Sequence, residues 1–178
     1  MSGRRVMALM GLPGSGKSAL LRRVARRLAL PVVDRDAIRA AMFPQSQGDP
    51  AEKEAANQAV LAAVALHLAQ GRDCAVDGMT FASPALRERL AHTAAQGGGT
   101  VRWVWMDAPL RLAVSRVAAN AGRHVARERT PELVREVAAR FAPVPEGTLR
   151  LDATRPLGVL ATEVERDWSV PPGGSDPG

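Results

Sequence analysis

Cysteine, aromatic residues and lysine are all scarce in this sequence. The chain of 178 residues has one cysteine, no tyrosine, 3% aromatic residues and only two lysines, Lys17 and Lys53. A single cysteine excludes a disulfide framework and suits a reducing compartment, so we expect a cytoplasmic protein. Because aromatic side chains are so few, the chain has little surface on which the bases of a single-stranded nucleic acid could stack.

Long apolar runs are also absent, so we expect no membrane span and no membrane partner. Only residues 1–5 precede the first apolar segment, from which we expect no signal peptide. The hydrophobic content of 46% is enough for a substantial core. We therefore predict one domain over residues 1–169 and a disordered tail over residues 170–178, a segment dominated by glycine and proline.

Acidic residues are fewer than basic residues in this sequence. Lysine and arginine together number 24, whereas aspartate and glutamate number 18, which gives a net charge of +6. This excess is compatible with binding of a polynucleotide through its phosphates. It is also compatible with an arginine-rich composition combined with a site for a polyanionic nucleotide. The charge therefore permits a nucleic-acid substrate without requiring one.

The most informative segment is the glycine-rich GLPGSGKS, residues 11–18, which follows the first apolar run directly. Its spacing fits G-x-x-x-x-G-K-[ST]. Such a loop directs backbone N–H groups at phosphate oxygens, its lysine reaches the β- and γ-phosphates, and its serine hydroxyl binds Mg²⁺. The motif predicts a site for a nucleoside triphosphate and Mg²⁺. The residues that we assign to this site are Gly11, Pro13, Gly14, Ser15, Gly16, Lys17 and Ser18.

Short apolar segments alternate with helical patterns along the rest of the chain. This order is typical of an α/β protein with a five-stranded parallel sheet and helices on both faces. Ligands of such sheets bind at the carboxyl ends of the strands, so the residues after each strand are candidates for the site. The predicted strands are Val6–Met10, Pro31–Asp34, Cys74–Asp77, Val101–Met106 and Thr148–Leu151.

The second predicted strand ends in the segment VVDRDAIR, which carries two carboxylates and two arginines within six residues, namely Asp34, Arg35, Asp36 and Arg39. Asp36 and Arg39 are three apart, so they share one face of a short helix. A carboxylate beside the γ-phosphate could take the proton from an attacking hydroxyl, and the arginine could hold an anionic acceptor. Asp34 is the alternative base, or the residue that caps this helix.

Two further aspartates close predicted strands. Asp77 follows the apolar segment CAV, and it is a candidate for the Mg²⁺ side of the site or for orienting the substrate, with a strand-end cap as the alternative. Asp107 has a similar local pattern, but the sequence Asp107-Ala108-Pro109 resembles a helix start, so we expect Asp107 to cap a helix.

The segment between the fourth and fifth predicted strands is rich in arginine. We predict a helix–loop–helix lid over about residues 111–141, interrupted at Gly122, whose arginines face the transferring phosphoryl group. Arg116 and Arg123 are the candidates for this role, and Arg127 is the alternative to Arg123. Three other arginines of the segment, Arg111, Arg135 and Arg140, are expected on a solvated face.

In their order along the chain, GLPGSGKS, DRDAIR, VDGMT, WMDAPL, the arginine-rich segment and PELVREVAARF resemble the small P-loop kinases of the AAA-33 type. The best understood relatives of this group are the phage-type 5′-hydroxyl polynucleotide kinases. The resemblance runs from about Val6 to Leu160 and implies a P-loop NTPase fold. It departs from the phage type in the spacing of the lid, which leaves the choice between Arg123 and Arg127 open.

The resemblance implies a role for each matching residue. Lys17 and Ser18 would serve the phosphates of ATP and Mg²⁺. Asp36 would be the general base, Arg39 would contact the acceptor phosphate and Asp77 would orient the acceptor site. Arg116 and Arg123 would contact the nucleotide phosphates.

The predicted activity is ATP-dependent transfer of the γ-phosphoryl group to a hydroxyl acceptor. The 5′-hydroxyl of a polynucleotide is one candidate acceptor, and a small molecule such as an antibiotic, a sugar or another metabolite is the alternative. Two other classes stay open, namely a nucleotide-dependent ATPase or switch without an acceptor, and a toxin-like kinase acting on sugar nucleotides. A GTPase is disfavoured because the chain lacks an N-K-x-D motif, and nothing in the sequence indicates an obligate protein partner.

Overall fold

A computed structural model describes residues 3–46, 48–120 and 130–171 of the chain. Its centre is a five-stranded parallel sheet in the order β2-β3-β1-β4-β5. The predicted α/β architecture is therefore confirmed. The strands are β1 (Arg4–Met10), β2 (Val32–Asp34), β3 (Cys74–Asp77), β4 (Gly99–Asp107) and β5 (Leu149–Asp152).

Helices connect the strands and cover both faces of the sheet. Helices α3 and α4 begin with proline after the N-cap residues Asp49 and Ser83, and proline is favoured at the first position of a helix. Among the described residues, no helix combines the length and the apolar character that a membrane span needs. The helices are α1 (Lys17–Arg27), α2 (Arg35–Met42), α3 (Pro50–Ala69), α4 (Pro84–Gln96), α5 (Leu110–Ala119), α6 (Pro131–Ala139) and α7 (Leu157–Ser169).

Strand β4 is longer than its apolar pattern predicts. It begins at Gly99, two residues before the predicted start at Val101, and it pairs with β1 from Arg4↔Gly99 to Met10↔Trp105. The ladder uses backbone groups, so a residue without a side chain can join it when the neighbouring strand is long enough. The length of β4 is thus decided by its partner β1.

The core lies on both sides of β1. Met7 and Leu9 face a cluster that includes residues of α1 and α7, whereas Val6, Ala8 and Met10 face a cluster that includes residues of α3 and α4. All five side chains are at most 2% exposed. A central parallel strand that is covered on both faces must be apolar throughout, which explains the continuous run before the glycine-rich loop.

Asp107 does not cap a helix, contrary to the expectation from its sequence pattern. It is the last residue of β4, and α5 begins after Pro109 without a side-chain cap. Its carboxylate instead accepts hydrogen bonds from the Arg150 guanidinium, at 3.0 and 2.5 Å. The register Asp107↔Asp152 places Arg150 on the neighbouring strand, within reach of this carboxylate. The partner is remote in sequence, so the local pattern could not indicate it.

Candidate active site

The glycine-rich loop joins β1 to α1 at the carboxyl end of the sheet. Gly11, Gly14 and Gly16 all have positive φ, at 145°, 80° and 97°. A Cβ on Gly11 would lie 2.7 Å from the carbonyl oxygen of Met106, and one on Gly14 would overlap the carbonyl oxygen of Ala113. These two glycines are therefore required by the close approach of other backbone segments as well as by the turn itself.

Lys17 is the first residue of α1 and is 9% exposed. Its Nζ donates hydrogen bonds to the carbonyl oxygens of Gly11 at 2.8 Å and Leu12 at 2.7 Å. The N-terminal end of α1 adds the positive end of its dipole at the same place. The loop thus holds an ammonium group beside a helix N-terminus, an arrangement that attracts phosphate groups.

Ser18 and Asp77 meet at the base of the loop. Ser18 Oγ donates to Asp77 Oδ1 at 2.8 Å, and the same oxygen accepts from the Gly78 N–H at 2.8 Å. Asp77 can reach Ser18 because β3 pairs directly with β1. A hydroxyl oxygen and a carboxylate are the kind of ligands that Mg²⁺ prefers, so Ser18 and Asp77 would suit a Mg²⁺ ion.

The two aspartates that follow β2 differ in what they contact. Asp34 Oδ1 accepts hydrogen bonds from the backbone N–H groups of Asp36 at 2.9 Å and Ala37 at 3.1 Å, so Asp34 caps α2. Asp36 is 7% exposed and lines the cleft in front of the loop. Its Oδ1 lies 3.4 Å from Nη1 of Arg35.

The end of β3 packs closely against the start of α2. Gly78 has φ 79°, and a Cβ there would lie 2.9 Å from the backbone nitrogen of Asp36. This contact brings Asp36 and Asp77 into one cleft. Arg39 lies on the buried face of α2 with Asp36 and is 5% exposed, but it is not among the described residues that line the cleft.

Of the predicted lid arginines, Arg116 of α5 is the one that lies within the described residues. Its Nη1 donates to the carbonyl oxygen of Ser15 at 3.3 Å, and its Nη2 donates to that of Ala153 at 3.4 Å. It therefore spans the phosphate loop and the turn after β5. Arg123 and Arg127 lie outside the described residues.

The cleft has a volume of about 660 Å³. Its lining combines the expected Lys17, Ser18, Asp36 and Asp77 with side chains that sequence reasoning did not assign. Arg140, expected on a solvated face, is exposed and also lines the cleft. The only signal for Lys53 was the scarcity of lysine. The unassigned residues include Arg22, Lys53, Asn57, Met79, Leu86 and Asn120.

A glycine-rich loop between the central strand and its helix, with carboxylates at the ends of the neighbouring strands, defines a P-loop nucleotide-binding protein. The sequence profile of the AAA domain family (AAA_33) matches residues 6–144. The chain belongs to this family, which confirms the resemblance found in its motifs.

A curated relative and a similar solved structure are kinases. The chain is 33% identical over 162 residues to the shikimate kinase of Paramagnetospirillum magneticum, covering 86% of this chain and 80% of that protein. The structure of the Mycobacterium tuberculosis APS kinase CysC in complex with AMPPNP and APS shares the fold, with TM-score 0.72 and 20% identity over 96% of this chain and 100% of that chain. A chain of the Pnkp1/Rnl/Hen1 RNA repair complex also shares the fold, with TM-score 0.61 and 22% identity. The match covers 83% of this chain and 50% of that chain. The protein is an ATP-dependent kinase that phosphorylates a hydroxyl acceptor.

Proposed function

We propose that this kinase transfers the γ-phosphoryl group of Mg²⁺-bound ATP to a hydroxyl group of a small molecule, with Asp36 as the general base. The observation that supports this proposal best is that Lys17, Asp36 and Asp77 line a single cleft. A phosphate-binding group, a candidate base and a candidate metal ligand therefore face the same space.

The proposed reaction is an in-line displacement. The backbone N–H groups of the loop and the Lys17 ammonium hold the β- and γ-phosphates, while Asp36 accepts the proton of the acceptor hydroxyl. The bond between the acceptor oxygen and the γ-phosphorus forms as the bond to the β–γ bridging oxygen breaks, and ADP leaves. Arg116, in the segment 111–141 that we propose as the lid, supplies positive charge beside the loop.

Ser18 and Asp77 are the residues that would hold Mg²⁺, which would neutralise part of the phosphate charge. Within the described parts of the chain, no group of three or more histidine, cysteine or acidic side chains could hold a metal ion. A magnesium ion here would therefore take its other ligands from water and from the phosphates, as it commonly does in kinases.

A small acceptor is favoured by the similarity to a shikimate kinase, at 33% identity over 80% of the length of that protein. A polynucleotide 5′-hydroxyl is the second candidate acceptor. It is supported by the net charge of +6 and by the similarity in fold to a chain of an RNA repair complex. The two candidates predict different radiolabelled products, so one assay separates them.

The experiment is transfer from γ-labelled ATP and Mg²⁺ to shikimate, gluconate or a short oligonucleotide with a 5′-hydroxyl, with Lys17→Ala as the control. Label on a small acceptor, lost in Lys17→Ala, would support the proposal. Label on the oligonucleotide alone would favour the second candidate. ADP release that no acceptor stimulates would contradict both and favour an ATPase or switch.

A further inference from the structure

Both lysines of the chain line the same cleft. Lys17 belongs to the phosphate loop, whereas Lys53 projects from the first turns of α3 and is half-buried. All 22 other basic residues that make up the total of 24 are arginines. The second lysine therefore belongs to a part of the cleft wall separate from the loop that binds the nucleotide.

The acidic residues beside Lys53 are engaged elsewhere. The Glu52 carboxylate accepts a hydrogen bond from the Ser46 hydroxyl. Glu54 accepts from both terminal nitrogens of the Arg89 guanidinium, at 3.1 and 2.8 Å, and these hydrogen bonds lower the pKa of Glu54. Among the described residues, the Lys53 ammonium has no ion pair or hydrogen bond. Its positive charge is therefore available to a ligand in the cleft.

Asn57 lies one helical turn after Lys53 and lines the same wall. Its Nδ2 donates to Glu54 Oε2 at 3.5 Å, which orients the amide. Its Oδ1 is buried and has no hydrogen-bond partner within the described part of the chain. A buried amide oxygen without a donor is costly, so this atom is suited to accept a hydrogen bond from a ligand hydroxyl.

Arg35 also lines the cleft, and its guanidinium is engaged by other groups of the protein. Arg35 Nη1 donates to the carbonyl oxygen of Gly78 at 3.1 Å and lies 3.4 Å from Asp36 Oδ1. Arg39, which sequence reasoning assigned to the acceptor, does not line the cleft. Of the three cations Arg35, Arg39 and Lys53, Lys53 is the one that lines the cleft and whose charged group no described residue engages.

We propose that Lys53 and Asn57 form the acceptor-binding wall of the cleft. Lys53 pairs with an anionic group of the acceptor, and Asn57 Oδ1 accepts a hydrogen bond from one of its hydroxyls. The acceptor is then a small hydroxy compound that carries a carboxylate or phosphate group. This inference rests on the proposed function, since it assumes that a small acceptor enters the cleft beside the nucleotide.

The test compares charged and neutral acceptors of similar shape, namely shikimate with its methyl ester and gluconate with gluconamide. The enzymes are the wild type, Lys53→Met and, as a control that removes charge outside the cleft, Arg72→Met. We expect Lys53→Met to lower kcat/KM for the charged acceptor about 10- to 100-fold, mainly through KM, because a hydrogen bond to a charged group is lost. Turnover of the neutral acceptor and the affinity for ATP should stay within about twofold.

A binding measurement makes the test independent of turnover. The chain has two lysines, so reductive methylation followed by mass spectrometry reports on each separately. With Mg²⁺ and AMPPNP bound, the charged acceptors should slow methylation of Lys53, and their neutral counterparts should not. The Asn57→Leu variant should weaken protection by the same compounds.

The outcomes separate this inference from the proposed function. Transfer to small acceptors without charge preference, or equal losses on charged and neutral acceptors in Lys53→Met, would overturn the inference and leave the proposed function standing. If an oligonucleotide were the only compound that protects Lys53 and accepts phosphate, both the inference and the proposed function would be overturned. Failure of every charged compound both to accept phosphate and to protect Lys53 would also overturn the inference.

Discussion

Ser18 Oγ donates a hydrogen bond of 2.8 Å to Asp77 Oδ1, across 59 residues of sequence. The contact joins the first turn of α1 to the last residue of β3. It exists because β3, and not the next strand along the chain from β1, is hydrogen-bonded beside β1. The phosphate loop and the Asp77 carboxylate are thereby held in one fixed arrangement.

If this pair holds Mg²⁺, Asp77→Asn should preserve the shape of the site and weaken its metal binding. We expect the Mg²⁺ concentration for half-maximal activity to rise about 10- to 100-fold, because loss of a metal-orienting carboxylate costs this much in related sites. Titration of transfer activity with Mg²⁺ measures the effect. Ser18→Thr keeps a hydroxyl and serves as the control. An unchanged Mg²⁺ dependence in Asp77→Asn would remove Asp77 from the metal site.

Mutation should distinguish the roles of the two aspartates that follow β2. Asp36→Asn should lower kcat by about 10²–10⁴ while the dissociation constant for ATP stays unchanged, since a general base acts in the chemical step. Asp34→Ala should instead destabilise the fold by about 1 kcal/mol through loss of the α2 cap and keep most of its kcat. Single-turnover kinetics and urea unfolding measure these quantities. A folded Asp36→Asn enzyme with normal turnover would contradict the assignment.

Gly14 and Gly98 provide a matched pair for the phosphate loop. Both have positive φ, at 80° and 69°, but a Cβ on Gly98 would meet nothing within 4 Å, whereas one on Gly14 would overlap the backbone of α5. Gly98→Ala should cost about 1–2 kcal/mol from the left-handed conformation alone. Gly14→Ala should cost more and should also weaken ATP binding, because it separates the loop from α5. Equal stability and equal ATP affinity in the two variants would argue against this contact.

Arg87 is buried and joins the loop after β3 to the segment after α6. Its Nε donates to the Phe81 carbonyl oxygen at 2.6 Å, and its Nη2 donates to that of Ala142 at 3.0 Å. Burial lowers the pKa of this guanidinium.

Arg87→Ala should destabilise the protein by about 3 kcal/mol, because buried carbonyl groups lose their donors. Arg150→Ala, which breaks the ion pair with Asp107 at an exposed side chain, should cost about 1 kcal/mol or less. Similar urea midpoints for both variants would disprove this ranking.

Cys74 should make stability depend on pH in the alkaline range. Burial in β3 raises the pKa of its thiol from 9.0 to about 11. Above pH 9 the thiol of the unfolded chain ionises while that of the folded chain stays protonated, so the unfolded state binds fewer protons and stability falls with rising pH. We expect this loss between pH 9 and 11. The urea midpoint measured across this range should fall more steeply for the wild type than for Cys74→Ala, and parallel curves would contradict the expectation.

Most elements of the fold could be predicted because their signals are local. The continuous apolar run of β1, the proline after Asp49 and the glycine spacing of residues 11–18 each depend on neighbours in sequence. The predictions that failed or were missed depend on distant partners. Asp107 was expected to cap a helix but pairs with Arg150 on another strand, and the burial of Arg87 had no local signal.

The sequence by itself determined the phosphate loop, the alternation of strands and helices and the kinase family, because backbone conformation and hydrophobic pattern act over a few residues. Only the tertiary structure decided which candidates share a cleft. The order of the strands places Asp77 beside Ser18, the packing of Gly78 on α2 brings Asp36 to the same space, and α3 adds Lys53. Strand order and helix packing follow from the burial of the whole chain, and no short segment contains that information.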